Sequence, residues 1–408
     1  MRPGVILRLA RKEIVSTLRD TRAIVSNLVI PLVLVPVMMI GMPLLLGSLF
    51  EREQVTVTAV GVVGDANVPV DLRSAFTSAN LALQPVADAD QAVRDGTVDV
   101  AVVVPAGFEA ALADGGSAAV QVHSKVGNMK SELNASKVQQ AFATYQAGVV
   151  AARLGAAGLD ASILQPVTVQ TVDASSQAER SSGQLSWLIP FFIAIWTLTG
   201  GQMTAIDATA GEKERGTLEV LLVAPVRRAE VVAGKFIATM TFGLSAALMA
   251  ILGIIIGGAV MGRLIVPRLG EGASGMVNVM GGSIALTPTI VLALIVSALL
   301  LSAFVSALLL GIAMFARSFK EAQSYVAPLS FLFVIPAVAL QFKDLIGLSD
   351  SVFYVPVLNV LILMDNVVRG VGTGREALIT WGVMLVAVVL LLRFALRNFK
   401  RESVIFRS

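Results

Sequence analysis

The chain has 408 residues, 56% of them hydrophobic and only 14% charged, with a mean hydropathy of +0.81, more apolar surface than a soluble core of this length can hide. It has no cysteine, which excludes disulfides, thiolate chemistry and cysteine-ligated metal centres, and a single histidine, His123, gives no basis for a transition-metal site. The net charge of +3 is small, so its distribution along the chain carries more information than its size.

The first long apolar stretch occupies residues 24–50 (IVSNLVIPLVLVPVMMIGMPLLLGSLF). It is too long for a signal peptide, has no small-residue cleavage site before Glu51, and carries Pro31, Pro36 and Pro43, so a retained and bent transmembrane helix is expected. Residues 51–183 fall to the hydrophobicity of an ordinary soluble domain. There TVTAVGVVGD, VDVAVVVP and SAAVQVHSK read as strands, VDLRSAFTSA, DADQAVRDG and residues 130–154 as helices, and LQPVTVQTVD as a returning strand: a small α/β domain.

Residues 184–408 hold five further apolar segments: Leu185–Ile206, Phe236–Met261, Ile290–Ala316, Tyr325–Gln341 and Ala377–Leu392. The fold class is therefore a polytopic α-helical membrane protein with six transmembrane helices and an inserted α/β domain. The last two segments are short for a bilayer and need help from Arg393 or flanking residues. Residues 352–370 (VFYVPVLNVLILMDNVVRG region) are apolar but broken by Pro356 and polar side chains, which suits a re-entrant segment. With the N-terminus inside, the inner segments hold 18 cationic residues against nine acidic ones, and the outer segments 13 against 19. This bias predicts both termini in the cytoplasm and the α/β domain on the extracytoplasmic side.

Residues 207–235 (DATAGEKERGTLEVLLVAPVRRAEVVAGK) are charged, then amphipathic, then broken by Pro225 and basic again. That pattern fits a helix along the cytoplasmic membrane face that receives a partner, and equally an interfacial anchoring loop. Gly211 to Thr217 has a glycine pair at phosphate-loop spacing but no lysine before the threonine and no preceding strand, so no ATPase activity of this chain itself is expected. Polar residues within apolar segments are candidates for an ion or substrate path: Gln202, Thr204 and Asp207 on the second span, and Asn359, Asp365 and Asn366 in the broken segment. Alternatively, Asp207 lies in the membrane interface and Asp365 caps a helix end. Gly253 and Gly257, and Ala298, Ser302 and Ser306, are small residues at helical spacing suited to close packing, either within one subunit or across a dimer. His123 reads as a surface residue.

The stretch AGEKERGTLEVLLVAPVRRAEVVAGK resembles the signature of type-2 ABC exporter permeases. The resemblance extends to RKEIVSTLRDTR, MFARSFKEAQSYVAPLS and VPVLNVLILMDNVVRG and so covers essentially the whole chain. Within that superfamily the chain looks most like NatB-type sodium-efflux permeases. The resemblance implies that residues 1–23 form a cytoplasmic amphipathic connecting helix, and that Glu212, Glu214, Arg215, Gly216, Thr217 and Glu219 couple the permease to an ATP-binding subunit. It further implies that ATP and Mg are bound by that NatA-like partner and not by this chain. A second permease copy or a related permease, membrane lipid, and a bacterial or archaeal plasma membrane complete the expectation, with no nucleic acid partner and no confident metal site. Export of an amphipathic drug, peptide antibiotic or lipid is the alternative cargo, and a membrane-anchored sensor or adhesion protein the alternative class.

Overall fold

Six helices among the described residues are long and apolar enough to cross a bilayer: Thr21–Leu45, Leu188–Glu214, Arg228–Arg268, Pro288–Ala313, Phe319–Ile346 and Gly374–Phe399, here spans 1 to 6. The structure is a computed structural model that describes residues 1–160, 164, 179, 183, 186–217, 225–269 and 286–399, apart from the side chains of 46, 49–51, 53 and 54. The chain divides into Ser48–Asp173 and a second unit made of Met1–Gly47 with Ala174–Ser408.

Spans 5 and 6, at 28 and 26 residues, run past their apolar stretches at both ends, and each begins with a polar capping sequence. Ser318 Oγ accepts the N–H of Glu321, whose carboxylate reaches back to the N–H of Arg317 at 2.7 Å. Thr373 Oγ1 accepts the N–H of Glu376, whose carboxylate faces the N–H of Thr373. These reciprocal bonds satisfy N-terminal amides that would otherwise be orphaned, and they start span 5 six residues and span 6 three residues before the hydropathy rises. The short bilayer crossing expected from the apolar stretches alone is thereby replaced by full-length spans.

Spans 2, 3 and 4 form the centre of the bundle, and small residues set their approach. A Cβ at Gly200 would lie 2.5 Å from Ala246 Cβ and 2.8 Å from the Phe242 carbonyl oxygen. Ser302 Oγ donates to Met240 O at 2.8 Å, joining span 4 to span 3. Gly253 and Gly257 receive Pro36 of span 1, with its Cδ 3.0 Å and Cα 3.1 Å from where their Cβ atoms would be. These small residues are therefore used within the subunit, where they bring backbones close enough for dispersion contact. Large side chains on spans 1, 5 and 6, among them Val33, Val37, Phe331, Ile335, Leu385 and Leu390, remain exposed, as lipid-facing residues do. Leu358–Val368, between spans 5 and 6, has eleven residues, roughly 16 Å of helix, too short to cross. It packs against spans 2, 4 and 6.

In the inserted unit, four strands run in the order β2-β1-β3-β4: β1 Thr58–Val63, β2 Leu81–Pro85, β3 Val100–Val103 and β4 Gln121–Ser124. β1 pairs in parallel with β2 and β3, while β4 runs antiparallel to β3. Helix Val70–Ser78 links β1 to β2 and Ala89–Arg94 links β2 to β3. Val60, Val62, Val100 and Val102 meet Leu72, Phe76 and Val138 in the core, the last from the long helix Met129–Ala156. β2 was not evident as a strand because Gln84 and Pro85 break its apolar pattern at the sheet edge, where proline is tolerated. The strand expected at LQPVTVQTVD lies outside the described residues except for Leu164.

His123 Nδ1 lies 2.7 Å from Asp90 Oδ1. This contact, and next the Arg94 charge, hold the Asp90 carboxyl below the ordinary carboxylate range, while desolvation works the other way. A depressed carboxyl stabilises the fold above its unfolded pKa, and that contribution is lost as the pH falls through the folded one. Asp90→Asn in the full chain is expected to speed amide exchange modestly in Ala89–Arg94 at neutral pH. The difference from wild type should close only as the pH drops through the depressed pKa of the folded carboxyl, below the ordinary value of about 4.

Candidate functional site

Span 2 stops where its charges begin. Gly216 adopts φ +70, and its N–H returns to the Lys213 carbonyl at 3.0 Å, a left-handed glycine ending to the helix. One turn earlier, Asp207–Gly211 form a π-helical turn. Across it, Arg215 Nη1 reaches back to Asp207 Oδ1 at 2.9 Å. That bond lifts the guanidinium above its ordinary pKa against the opposing effect of burial.

The four residues between these glycines bind different elements. Glu212 is 4% exposed and accepts from two ammonium groups: Lys235 at the start of span 3, and Lys12 of the N-terminal helix Pro3–Leu18 at 2.7 Å. Lys235 also donates to Ala208 O and lies 3.6 Å from Glu13, the second buried carboxylate of the group. Burial lowers the Lys12 pKa, but the Glu212 hydrogen bond and the charges of Glu13 and Glu212 more than offset it, so Lys12 sits above its ordinary value. Lys213 donates to the carbonyls of Met314 and Ala316, just past the end of span 4. Glu214 accepts the N–H of Phe319, the first residue of span 5, at 2.8 Å. Each charge meets the helix end of opposite sign: an ammonium at the orphan carbonyls of span 4 and a carboxylate at the free amides of span 5.

A second clamp joins the N-terminus to span 3. Glu230 is fully buried and accepts the Arg2 backbone N–H at 2.8 Å and the Arg2 guanidinium at 2.9 Å, and Arg2 also donates to Pro225 O. Between the two clamps, a Cβ at Gly234 would lie 2.7 Å from Leu9 Cβ and 3.2 Å from the Ala10 nitrogen. Gly234→Val is therefore expected to push the N-terminal helix off span 3, at a cost of about 1–3 kcal/mol. Limited trypsin digestion checks this: cleavage at Arg8, Arg11 and Lys12 should accelerate at least several-fold.

Of the six residues that the family resemblance assigns to coupling, Glu212, Glu214 and Arg215 are thus engaged at this junction. Gly216 ends the helix, and Thr217 Oγ1 donates to Glu212 O at 3.2 Å. Glu219 lies outside the described residues, as do all of 218–224. The two ends of the 207–235 range belong to spans 2 and 3, so a separate element there is confined to the stretch between Arg215 and Arg227. Lys12, Glu13, Glu230 and Lys235 were not singled out by sequence reading. Glu13 left a signal, a carboxylate in the stripe formed with Ile6, Leu9 and Ala10.

The path candidates form two groups. Gln202 is half-buried and Thr204 buried, its hydroxyl without a hydrogen-bond partner among the described residues, while Asp207 is taken by Arg215. The others belong to Leu358–Val368, and the Arg369 that follows it bonds Ser186, 16 to 21 residues before the first group or roughly 24–32 Å away along a helix. There Asp365, 1% exposed, receives the Lys343 ammonium on Oδ2, with Arg369 Nε at 3.7 Å. Asn366 Oδ1 accepts from Lys343 at 2.8 Å and its amide nitrogen donates to Glu376. Arg369 is held by Asp344 at 2.9 Å and Ser186 at 3.1 Å. Asn359 is spent on its own turn, donating to Phe353 O and accepting from Val360 N–H. That turn places Val357 at φ 72, ψ −58, a region costing a β-branched residue about 1–3 kcal/mol. Among the described residues, no three His, Asp or Glu side chains converge to hold a metal ion.

Two comparisons bear on this arrangement. The family model described as "ABC-2 family transporter protein" matches residues 26–397. The chain is also 28% identical over 402 residues to the "ABC transporter permease protein NatB" of Bacillus subtilis (strain 168), covering 98% of this chain and 99% of that protein.

Proposed function

Because the chain belongs to the ABC-2 family of transporter proteins, and so forms the membrane permease of an ABC transporter and not its ATPase, we propose that it exports sodium ions, driven from the cytoplasm by a separate NatA-like ATP-binding subunit. In this reading the charged end of the bundle, both termini included, faces the cytoplasm and the α/β domain lies outside, as the distribution of cationic residues favours. A second copy, or a related permease, completes the pathway.

The observation that carries the reading is the junction of Glu212, Lys213, Glu214 and Arg215. These consecutive side chains bond the N-terminal helix, span 3, the end of span 4, the start of span 5 and their own helix. A push on the loop that follows Gly216 would be passed to all of these at once. This is what a permease without ATP chemistry requires: a stiff cytoplasmic lever that turns closure of its partner into helix motion. Sodium as the cargo rests on the likeness to NatB-type permeases and on oxygen-rich side chains at both ends of span 2. ATP and Mg belong to the partner.

The test is ATP-dependent uptake of radioactive sodium into inverted vesicles holding this chain and its ATP-binding subunit, with a protonophore present. We expect uptake that falls at least tenfold in the Glu214→Ala, Arg215→Ala double variant while the two subunits still co-purify. A complex that hydrolyses ATP yet takes up no sodium overturns the cargo and turns the search to amphipathic drugs, peptide antibiotics or lipids.

A further inference from the structure

We propose that Asp365 and Asn366 form a monovalent-cation site that the protein occupies with its own ammonium, Lys343, and that an incoming cation binds by displacing that ammonium. The inference rests on the sodium reading above for its place in transport, but not for its chemistry.

Lys343 meets one carboxylate oxygen, Asp365 Oδ2, and one amide oxygen, Asn366 Oδ1 at 2.8 Å. A hard monovalent cation seeks such oxygens. The amide is fixed in this sense because its nitrogen donates to Glu376 at 3.2 Å, which turns its oxygen towards the cation. The second carboxylate oxygen, Asp365 Oδ1, is buried and has no hydrogen-bond partner among the described residues. A static ion pair at this depth would be expected to use both oxygens. Here one ligand atom is left that the ammonium, with two of its N–H groups on Asp365 Oδ2 and Asn366 Oδ1, does not bond, and that a spherical ion could share.

The charges allow the exchange. Asp344, Asp365 and Glu376 face Lys343 and Arg369, which leaves one negative charge in excess. Arg369 is anchored to Asp344 and Ser186 and stays in place when Lys343 leaves. The chain around Lys343 is also irregular enough to move. Span 5 contains Pro336 and passes through a tight 3-10 turn, Leu340–Phe342, before the single turn Lys343–Ile346. Facing it, the helix that carries Asp365 starts from the strained Val357.

The experiment measures binding of radioactive sodium to the purified full chain in detergent, with choline chloride holding ionic strength constant. Lys343→Met is expected to reveal saturable sodium binding at least tenfold tighter than wild type. Asp365→Asn in that background should abolish it, and Lys343→Arg should restore the wild-type behaviour. If Lys343→Met is not monodisperse, Lys343→Gln replaces it, keeping a donor to Asn366 while removing the charge. Sodium binding in the folded Met or Gln variant no tighter than wild type overturns the site, and so does binding that survives Asp365→Asn. The assay needs no ATP-binding subunit. Tight sodium binding without ATP-driven uptake would leave the site standing and remove the cargo assignment, while uptake without the unmasked binding would do the reverse.

Discussion

A Glu212→Gln chain is expected to lose about 3 kcal/mol of stability, because breaking a buried pair leaves an ammonium without its closest counter-charge. That charge is Lys235, 3% exposed, which keeps only Glu13 at 3.6 Å and the Ala208 carbonyl. Thermal unfolding in detergent measures the loss. The control is the double variant Glu212→Leu, Lys235→Met, which removes both charges and is expected to recover most of the stability. Failure of the double variant to recover would mean that Glu212 matters chiefly through Lys12 and the N-terminal helix. Arg215→Ala provides the contrast: its partner Asp207 is partly exposed, so stability changes by about 1 kcal/mol or less even where transport is lost. Together these variants separate what holds the junction from what drives it.

Gly200→Leu is expected to be comparably damaging. A Cβ there already meets Ala246 Cβ at 2.5 Å and the Phe242 carbonyl oxygen at 2.8 Å, and a backbone oxygen cannot rotate away as a side chain can. Overpacking costs about 1–3 kcal/mol and occasionally more, and this position falls at the upper end because spans 2 and 3 must separate to admit the branch. Folded yield after size-exclusion chromatography should fall sharply. Gly382→Leu on span 6, where nothing lies within 4 Å of the added carbon, should give wild-type yield. Equal losses at both positions would refute the close crossing of spans 2 and 3.

Much of the membrane architecture was legible from hydropathy because the bilayer imposes a length on apolar helices that few other constraints imitate. What hydropathy missed were helix starts made of polar residues. SFKE at Ser318 and TGRE at Thr373 precede the apolar stretches, yet serine or threonine followed by glutamate three residues later is itself a helix signal. The junction was half legible. Its charged run on span 2 stood out, but its partners lie some 200 residues away on the N-terminal helix and about 100 away beyond span 4. Charge pairing at such separations depends on how the helices pack, and a one-dimensional pattern does not record it. Lys343 escaped notice for the same reason: it sits 22 residues before Asp365, beyond any helical period.

Lys213 and Glu214 are neighbours that serve as end pieces for two different helices, one closing span 4 and the other opening span 5. Adding or removing one residue ahead of them would turn both side chains by about 100° around the helix axis and part each from its terminus. Length in this segment is therefore constrained more tightly than composition. A charge-preserving exchange keeps the geometry, whereas a single-codon insertion or deletion between Asp207 and Lys213 would disengage spans 4 and 5 at a stroke.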